Sequence, residues 1–164
     1  MRYLLMILGI FGTDYGLKEY TNSYRLQGEE TLLRGKVFLR NYHNPGAALG
    51  FLKEYPKLNK SLSVFVLWGV IWEFLRTLPR RGYAVRKTGL ALITGGGLNN
   101  CMERLKKGYV TDYIGFNVDN KKVRDITFNI SDFSIFTGMF LYALSSLASV
   151  LGGGLREKKM RQEP

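Results

Sequence analysis

The chain has 164 residues, 46% of them apolar and 23% charged, with a formal net charge of +11 and one cysteine. That length is one domain's worth of material, and a lone cysteine excludes an intrachain disulfide. The bulk composition matches an ordinary soluble protein, but the charges are segregated into blocks between long apolar runs, so the average hides a membrane pattern.

Met1-Arg2 opens onto an apolar run, Tyr3 to Thr13, that ends at Asp14 and Lys18. No small-x-small cleavage pattern follows it, so it reads as a retained first helix over about residues 3–20, not as a removable signal peptide. Asp14 and Lys18, four apart, share a helical face and read as an internal ion pair neutralising the polar end of that helix. Residues 21–60 are polar. Within them Arg34-Gly35-Lys36-Val37-Phe38-Leu39-Arg40-Asn41-Tyr42 alternates like a short strand with one apolar face. Asn44-Pro45-Gly46 then turns the chain, and Ala47 to Leu52 fits a short amphipathic piece resting on a membrane.

The second run, 61–78, is interrupted only by Glu73 and Arg76, which are three apart and placed to pair. The third, Thr88 to Met102, is apolar or small and stops at Glu103-Arg104, for a helix over about residues 88–105. Its Gly95-Gly96-Gly97 lacks the Gly-Lys-Ser/Thr or preceding strand of a phosphate loop, so the glycines read as a surface for close helix approach to the fourth span. Cys101 lies in this span and reads as a packed small side chain. After a second polar excursion, 106–131, comes a helix over about 132–155. From Phe133 to Leu155 there is no Asp, Glu, Lys, Arg or His, a stretch of roughly 35 Å as a helix against a hydrocarbon core of about 30 Å.

Net positive charge alone would suit nucleic acid, but its placement argues against that partner. Arg76, Arg80, Arg81, Arg86 and Lys87 crowd the short link between the second and third spans, and Arg156, Lys158, Lys159 and Arg161 follow the last. With Arg2 they fall on one side of a four-helix protein, the cytoplasmic side. The expected fold is mainly α, with four transmembrane helices and a small extracytoplasmic β-containing segment between helices 1 and 2. The whole chain, 1–164, forms one membrane domain with a bilayer as partner, both termini inside and both polar excursions outside.

Asp112 and Asp132 stand just beyond two apolar segments on that outer side. Carboxylates near hydrocarbon are costly, so each calls for a solvated position or a function. Brought together they would share one proton and titrate as a unit. The plainer alternatives are an N-cap for Ser131-Asp132 and a solvated loop acid for Asp112. His43 has no Ser, Cys or metal-ligand partner at a suggestive spacing, and neither metal nor cofactor is expected.

Five blocks occur in order: Asp14-Tyr15-Gly16-Leu17-Lys18, Asn44-Pro45-Gly46-Ala47-Ala48, Gly95 through Arg104, Gly108-Tyr109-Val110-Thr111-Asp112, and Phe128-Asn129-Ile130-Ser131-Asp132. Together they resemble the lipoprotein signal peptidases, or signal peptidase II. The resemblance implies an intramembrane aspartic endopeptidase that removes the signal peptide from a diacylglyceryl-modified prolipoprotein, cutting N-terminal to the modified cysteine. Asp112 and Asp132 match its catalytic dyad. Asn44, Asn100, Arg104 and Asn129 match supporting polar groups, and Asp14 and Lys18 would border the substrate cavity. Taken singly, an Asn in a turn is ordinary turn chemistry and an Arg at a helix end is an interfacial anchor. A self-contained four-helix unit makes a monomer the default.

Three positions depart from the family pattern. Glu103 stands for Asp, which moves a carboxylate by one methylene in its expected pairing with Arg104. Asn99 stands for Gly where helices would pack closely, and Ser131 for Ala. The first two motivate an alternative, a non-catalytic membrane protein of the same fold that binds lipidated peptides.

Overall fold

The computed structural model describes residues 1–46 and 52–160, with backbone alone for 152–160. Ala47 to Phe51, most of the expected amphipathic piece, lie outside the described residues. Four long helices are present: α1 (Arg2–Tyr24), α2 (Pro56–Thr77), α3 (Ala84–Lys107) and α5 (Ile130–Met160), with a short α4 (Lys121–Arg124). Each long helix extends past its expected bounds at one end or both. Pro56 starts α2 at a position where its missing N–H costs nothing. Gly108, at φ 84°, ends α3 in the left-handed conformation and turns the chain into a strand.

The expected β segment is larger than the sequence indicates. β1 (Glu30–Leu33), β2 (Val37–Asn44), β3 (Val110–Phe116) and β4 (Thr127–Phe128) form one antiparallel sheet in the order β1-β2-β3-β4. It therefore draws on the excursion between α3 and α5 as well as the one after α1. Arg34 and Gly35, expected as the start of a strand, are instead the turn between β1 and β2, with φ of 48° and 72°. Two successive positive φ angles give the turn whose twist matches a hairpin. Across the central pair Tyr42 faces Asp112 and Asn44 faces Val110.

The interior is inverted relative to a soluble protein. The largest fully buried side chains are Lys18, Asn99, Asn129, Thr77, Thr111, Asp14, Asp112 and Ser131, all polar. Outside, Phe65 is 71% exposed, Trp68 65% and Phe140 67%. Rings turned outward along two apolar helices have no aqueous rationale and fit a lipid surround. Two helices, α2 and α5 over Ile130–Leu151, are long and apolar enough to cross a membrane. α1 and α3 fall short by composition because they carry the polar residues that face inward.

Helix α3 is the centre, packed against α1, α2 and α5. Its glycine run serves three neighbours at once. A Cβ on Gly95 would lie 3.1 Å from Ile7 O of α1, on Gly96 2.5 Å from Ser131 O of α5, and on Gly97 3.0 Å from Leu67 Cδ1 of α2. About two turns earlier, a Cβ on Gly89 would lie 2.7 Å from Gly138 O. At Gly89 and Gly96 only hydrogen lets the backbones meet, whereas Gly97 meets the end of a leucine side chain, and the close approach at Gly96 carries the start of α5 against the polar end of α3.

Candidate active site

Strand β3 and the start of α5 bring the two aspartates together. β4 pairs Phe128 with Ile114 and Thr127 with Gly115, so the chain leaves the sheet at Asn129 beside Asp112 and winds into α5. Asn129 Oδ1 accepts from Asp132 N at 2.9 Å, and Asp132 Oδ2 accepts from Asn129 N at 3.1 Å. This is a reciprocal capping box in which Asn129 is the cap and Asp132 its return partner, so the cap expected at Ser131-Asp132 lies two to three residues earlier. The Asn129 side-chain amide is left free to donate elsewhere, and it donates to Asp112 Oδ1 at 2.6 Å. One residue thus touches both carboxylates.

Each carboxylate has a second amide donor. Asn44 Nδ2 donates to Asp112 Oδ2 at 3.0 Å, and its Oδ1 accepts from Gly46 N at 3.0 Å, the turn expected after β2. Asn100 Nδ2 donates to Asp132 Oδ1 at 2.9 Å. Asp112 is 2% exposed. Burial and the neighbouring Asp132 push its carboxyl from the ordinary 3.8 up to about 8, against the pull of the two amides and of Lys18. At neutral pH the pair therefore holds a proton that its two carboxyl groups share.

Behind the dyad lies a buried ionic cluster. Lys18 Nζ sits 3.1 Å from Asp14 Oδ2 and 3.2 Å from Glu103 Oε2, and donates to Asn100 Oδ1 at 2.5 Å. The expected Asp14–Lys18 pair is present, though neither residue lines the cleft described below. Lys18 instead fixes the Asn100 amide with its oxygen backward and its NH2 toward Asp132. Asp14 accepts from Tyr113 Oη at 2.7 Å, Ser131 Oγ at 2.5 Å and Ile130 N at 3.1 Å, tying β3 and the first turn of α5 to α1. Ser131 is therefore engaged through its hydroxyl, which an alanine could not supply.

Glu103 does not pair with Arg104. Its carboxylate accepts from Thr111 N at 2.9 Å and Thr111 Oγ1 at 2.6 Å and meets Lys18 and, at 3.3 Å, Lys107. The two side chains leave α3 in different directions: Arg104 Nη2 donates to Gly46 O at 2.9 Å and Nη1 to Ser63 Oγ at 3.2 Å, holding the turn after β2 against α2 and α3. Asn99 is fully buried and donates to Phe11 O at 2.9 Å, a bond between α3 and α1 that glycine could not make. Thr111 and Tyr113, one before and one after Asp112, were not singled out from the sequence. β3 buries Val110 through Tyr113 on both faces, so its sequence has no alternation that would mark them. His43 lies away from the dyad, bonded to Asn22 Oδ1 at 2.9 Å and stacked on Tyr109.

Asp112 and Asp132 open onto a cleft of about 510 Å³ whose polar lining is Asn44, Asn100, Arg104, the two aspartates and Thr127, and whose apolar wall includes Phe128, Ile135 and Phe136. The arrangement offers two carboxyl groups that share a proton and fixed amide donors beside an apolar wall. No group of His, Cys, Asp and Glu among the described residues is arranged to hold a metal ion.

The model of a family described as signal peptidase (SPase) II matches residues 6–148. A lipoprotein signal peptidase of Pelotomaculum thermopropionicum is 30% identical over 160 residues, covering 97% of this chain and 100% of that protein. One of Neisseria meningitidis serogroup C is 34% identical, with 89% of each chain covered. Among solved structures, one described as a bacterial membrane enzyme superposes with a TM-score of 0.77 at 20% identity, covering 91% of this chain and 89% of that one, so the fold is shared. The chain belongs to the signal peptidase II family of aspartic peptidases.

Proposed function

We propose that this protein is a membrane-embedded aspartic endopeptidase that frees prolipoproteins of their signal peptides, cutting N-terminal to the diacylglyceryl-modified cysteine, with Asp112 and Asp132 as its dyad. The supporting observation is the pair itself: two carboxyl groups, bridged by Asn129, facing one cleft with an apolar wall. The ionised member of the pair takes a proton from water as the water oxygen adds to the scissile carbonyl carbon, and the protonated member gives its proton to the carbonyl oxygen. When that intermediate collapses, the C–N bond breaks, nitrogen leaves protonated, and the products are the signal peptide's carboxylate and the cysteine's free amine.

Asn44, Asn100 and Asn129 hold the two acids, Arg104 holds the wall formed by the turn after β2, and Asp14 and Lys18 brace the dyad from behind. The reading takes α1, α2, α3 and α5 as four membrane spans in a single domain. Both termini are cytoplasmic and the dyad lies near the extracytoplasmic face of a bacterial cell membrane, in agreement with the basic link between α2 and α3. The protein acts as a monomer without cofactor. The departures at Asn99 and Glu103 favour this reading over a non-catalytic one, because both side chains have well-formed partners that brace the site.

The test is cleavage of a purified diacylglyceryl-modified prolipoprotein by the protein in detergent. Release of the signal peptide, abolished by Asp112→Asn and by Asp132→Asn, is the expected result. Absence of cleavage, or cleavage indifferent to both changes, excludes it.

A further inference from the structure

A second cleft, of about 410 Å³, adjoins the dyad cleft and shares Asn44, Ile126 and Thr127 with it. Its remaining lining is Tyr42, Lys53, Lys122 and Asp125. These come from the end of β2, the segment before α2, the short α4 and the link from α4 to β4, all outside the long helices. The two clefts therefore form one continuous surface that changes character at Thr127, from an aromatic wall on α5 to a polar basin under the sheet.

The proposed substrate has the same division. Its signal segment and two acyl chains are apolar and belong in hydrocarbon. The mature chain that begins at the modified cysteine is polar and must leave the membrane from the same catalytic point. Of the two polar basins near the sheet, only this one meets the dyad cleft. The other, lined by Glu30, Arg40 and Arg124 among others, shares no residue with the dyad cleft and closes on its own ion pair, Arg40 Nε to Glu30 Oε2 at 2.8 Å.

The basin is not electrically neutral. Lys53 and Lys122 face one carboxylate, Asp125, and neither ammonium group forms an ion pair among the described residues. Resting on the peptidase reading above, we infer that this basin is the subsite for the first residues after the modified cysteine, and that Lys53 and Lys122 make it select acidic side chains there.

The test compares three diacylglyceryl-modified peptides identical except for the two residues after the cysteine, which are Asp-Asp, Ser-Ser or Lys-Lys, cut by the full protein in a neutral detergent. The expected kcat/KM falls in that order, with roughly a fivefold ratio between the acidic and basic peptides at low salt, shrinking as salt is raised. In the double variant Lys53→Glu, Lys122→Glu the ratio inverts, a readout independent of how much total activity the variant keeps. Equal kcat/KM for all three peptides overturns the subsite and leaves the peptidase reading standing. Cleavage of none overturns both. Repeating the series with anionic lipid added separates the remaining source of negative charge: a double variant whose rate follows lipid content while its peptide ranking stays that of the parent assigns the lysines to headgroups and overturns the proposal.

Discussion

Asn129 Nδ2 lies 2.6 Å from Asp112 Oδ1, while the same residue's Oδ1 caps α5 through Asp132 N. The two jobs can be separated. Asn129→Asp keeps a good cap, since Asp and Asn are nearly equal there, but sets a third carboxylate against Asp112 in a buried site. Activity is expected to fall about 100-fold or more, the scale of a lost general acid or base, with the thermal midpoint in detergent barely changed in acid. Asn129→Ala loses the cap as well, costing about 1 kcal/mol of stability in addition. An Asn129→Asp protein with full activity would mean that this amide does not set the dyad.

The second prediction concerns pH. Asp112 is raised in the folded protein, so its proton is bound more tightly there than in the unfolded chain. The associated stability is fully present below the ordinary carboxyl value of 3.8 and is lost as pH rises through about 8. Cleavage, which needs that proton, should hold level through neutrality and fall above about pH 8. The thermal midpoint of the parent relative to Asp112→Asn should decline between about pH 4 and pH 8. Rates that stay flat well above that range would move the essential proton elsewhere.

How much of this was readable in advance follows from the range of the interactions. The four long helices were legible because apolar length is a local property, and Asp14 with Lys18 because a four-residue spacing puts them on one face. The hairpin turn at Arg34-Gly35 and the two-residue β4 were not, since both owe their conformation to strands distant in sequence. Asn129 looked like a supporting amide, but its capping role depends on where α5 starts, which β4 decides by pairing with β3. Glu103 looked like a partner for Arg104, its neighbour in sequence. Adjacent helical residues point about 100° apart, so the carboxylate went to Thr111 and Lys18 on the other side.

That placement gives the third prediction. Glu103 needs its full length to meet Thr111 and Lys18 at once, so Glu103→Asp, although it restores the family's usual residue, should destabilise the protein by about 1 to 2 kcal/mol. Lys18→Met goes further. It leaves Asp14 a buried carboxylate without its cation and Glu103 with Lys107 alone, a change that costs about 3 to 5 kcal/mol where one member of a buried pair is removed. Thermal unfolding in detergent measures both. A Glu103→Asp protein as stable as the parent would show that Thr111 finds another acceptor.

The glycines of α3 supply the last prediction, and they link packing to chemistry. A methyl group on Gly96 would lie 2.5 Å from Ser131 O, next to the residue that carries the second acid, and backbone cannot swing aside as a side chain can. Gly96→Ala must therefore push the start of α5 away from α3. The overpacking should cost about 1 to 3 kcal/mol, and the displacement lengthens the Asn100–Asp132 bond, so activity should fall further than stability alone explains. Gly69, on α2, has nothing within 4 Å of a built Cβ. Gly69→Ala should change stability by less than about 1 kcal/mol and leave cleavage intact. The comparison is of two identical chemical changes, and it isolates the close approach. If Gly96→Ala cleaves substrate as fast as Gly69→Ala, the contact between α3 and α5 does not hold Asp132 in register with Asp112.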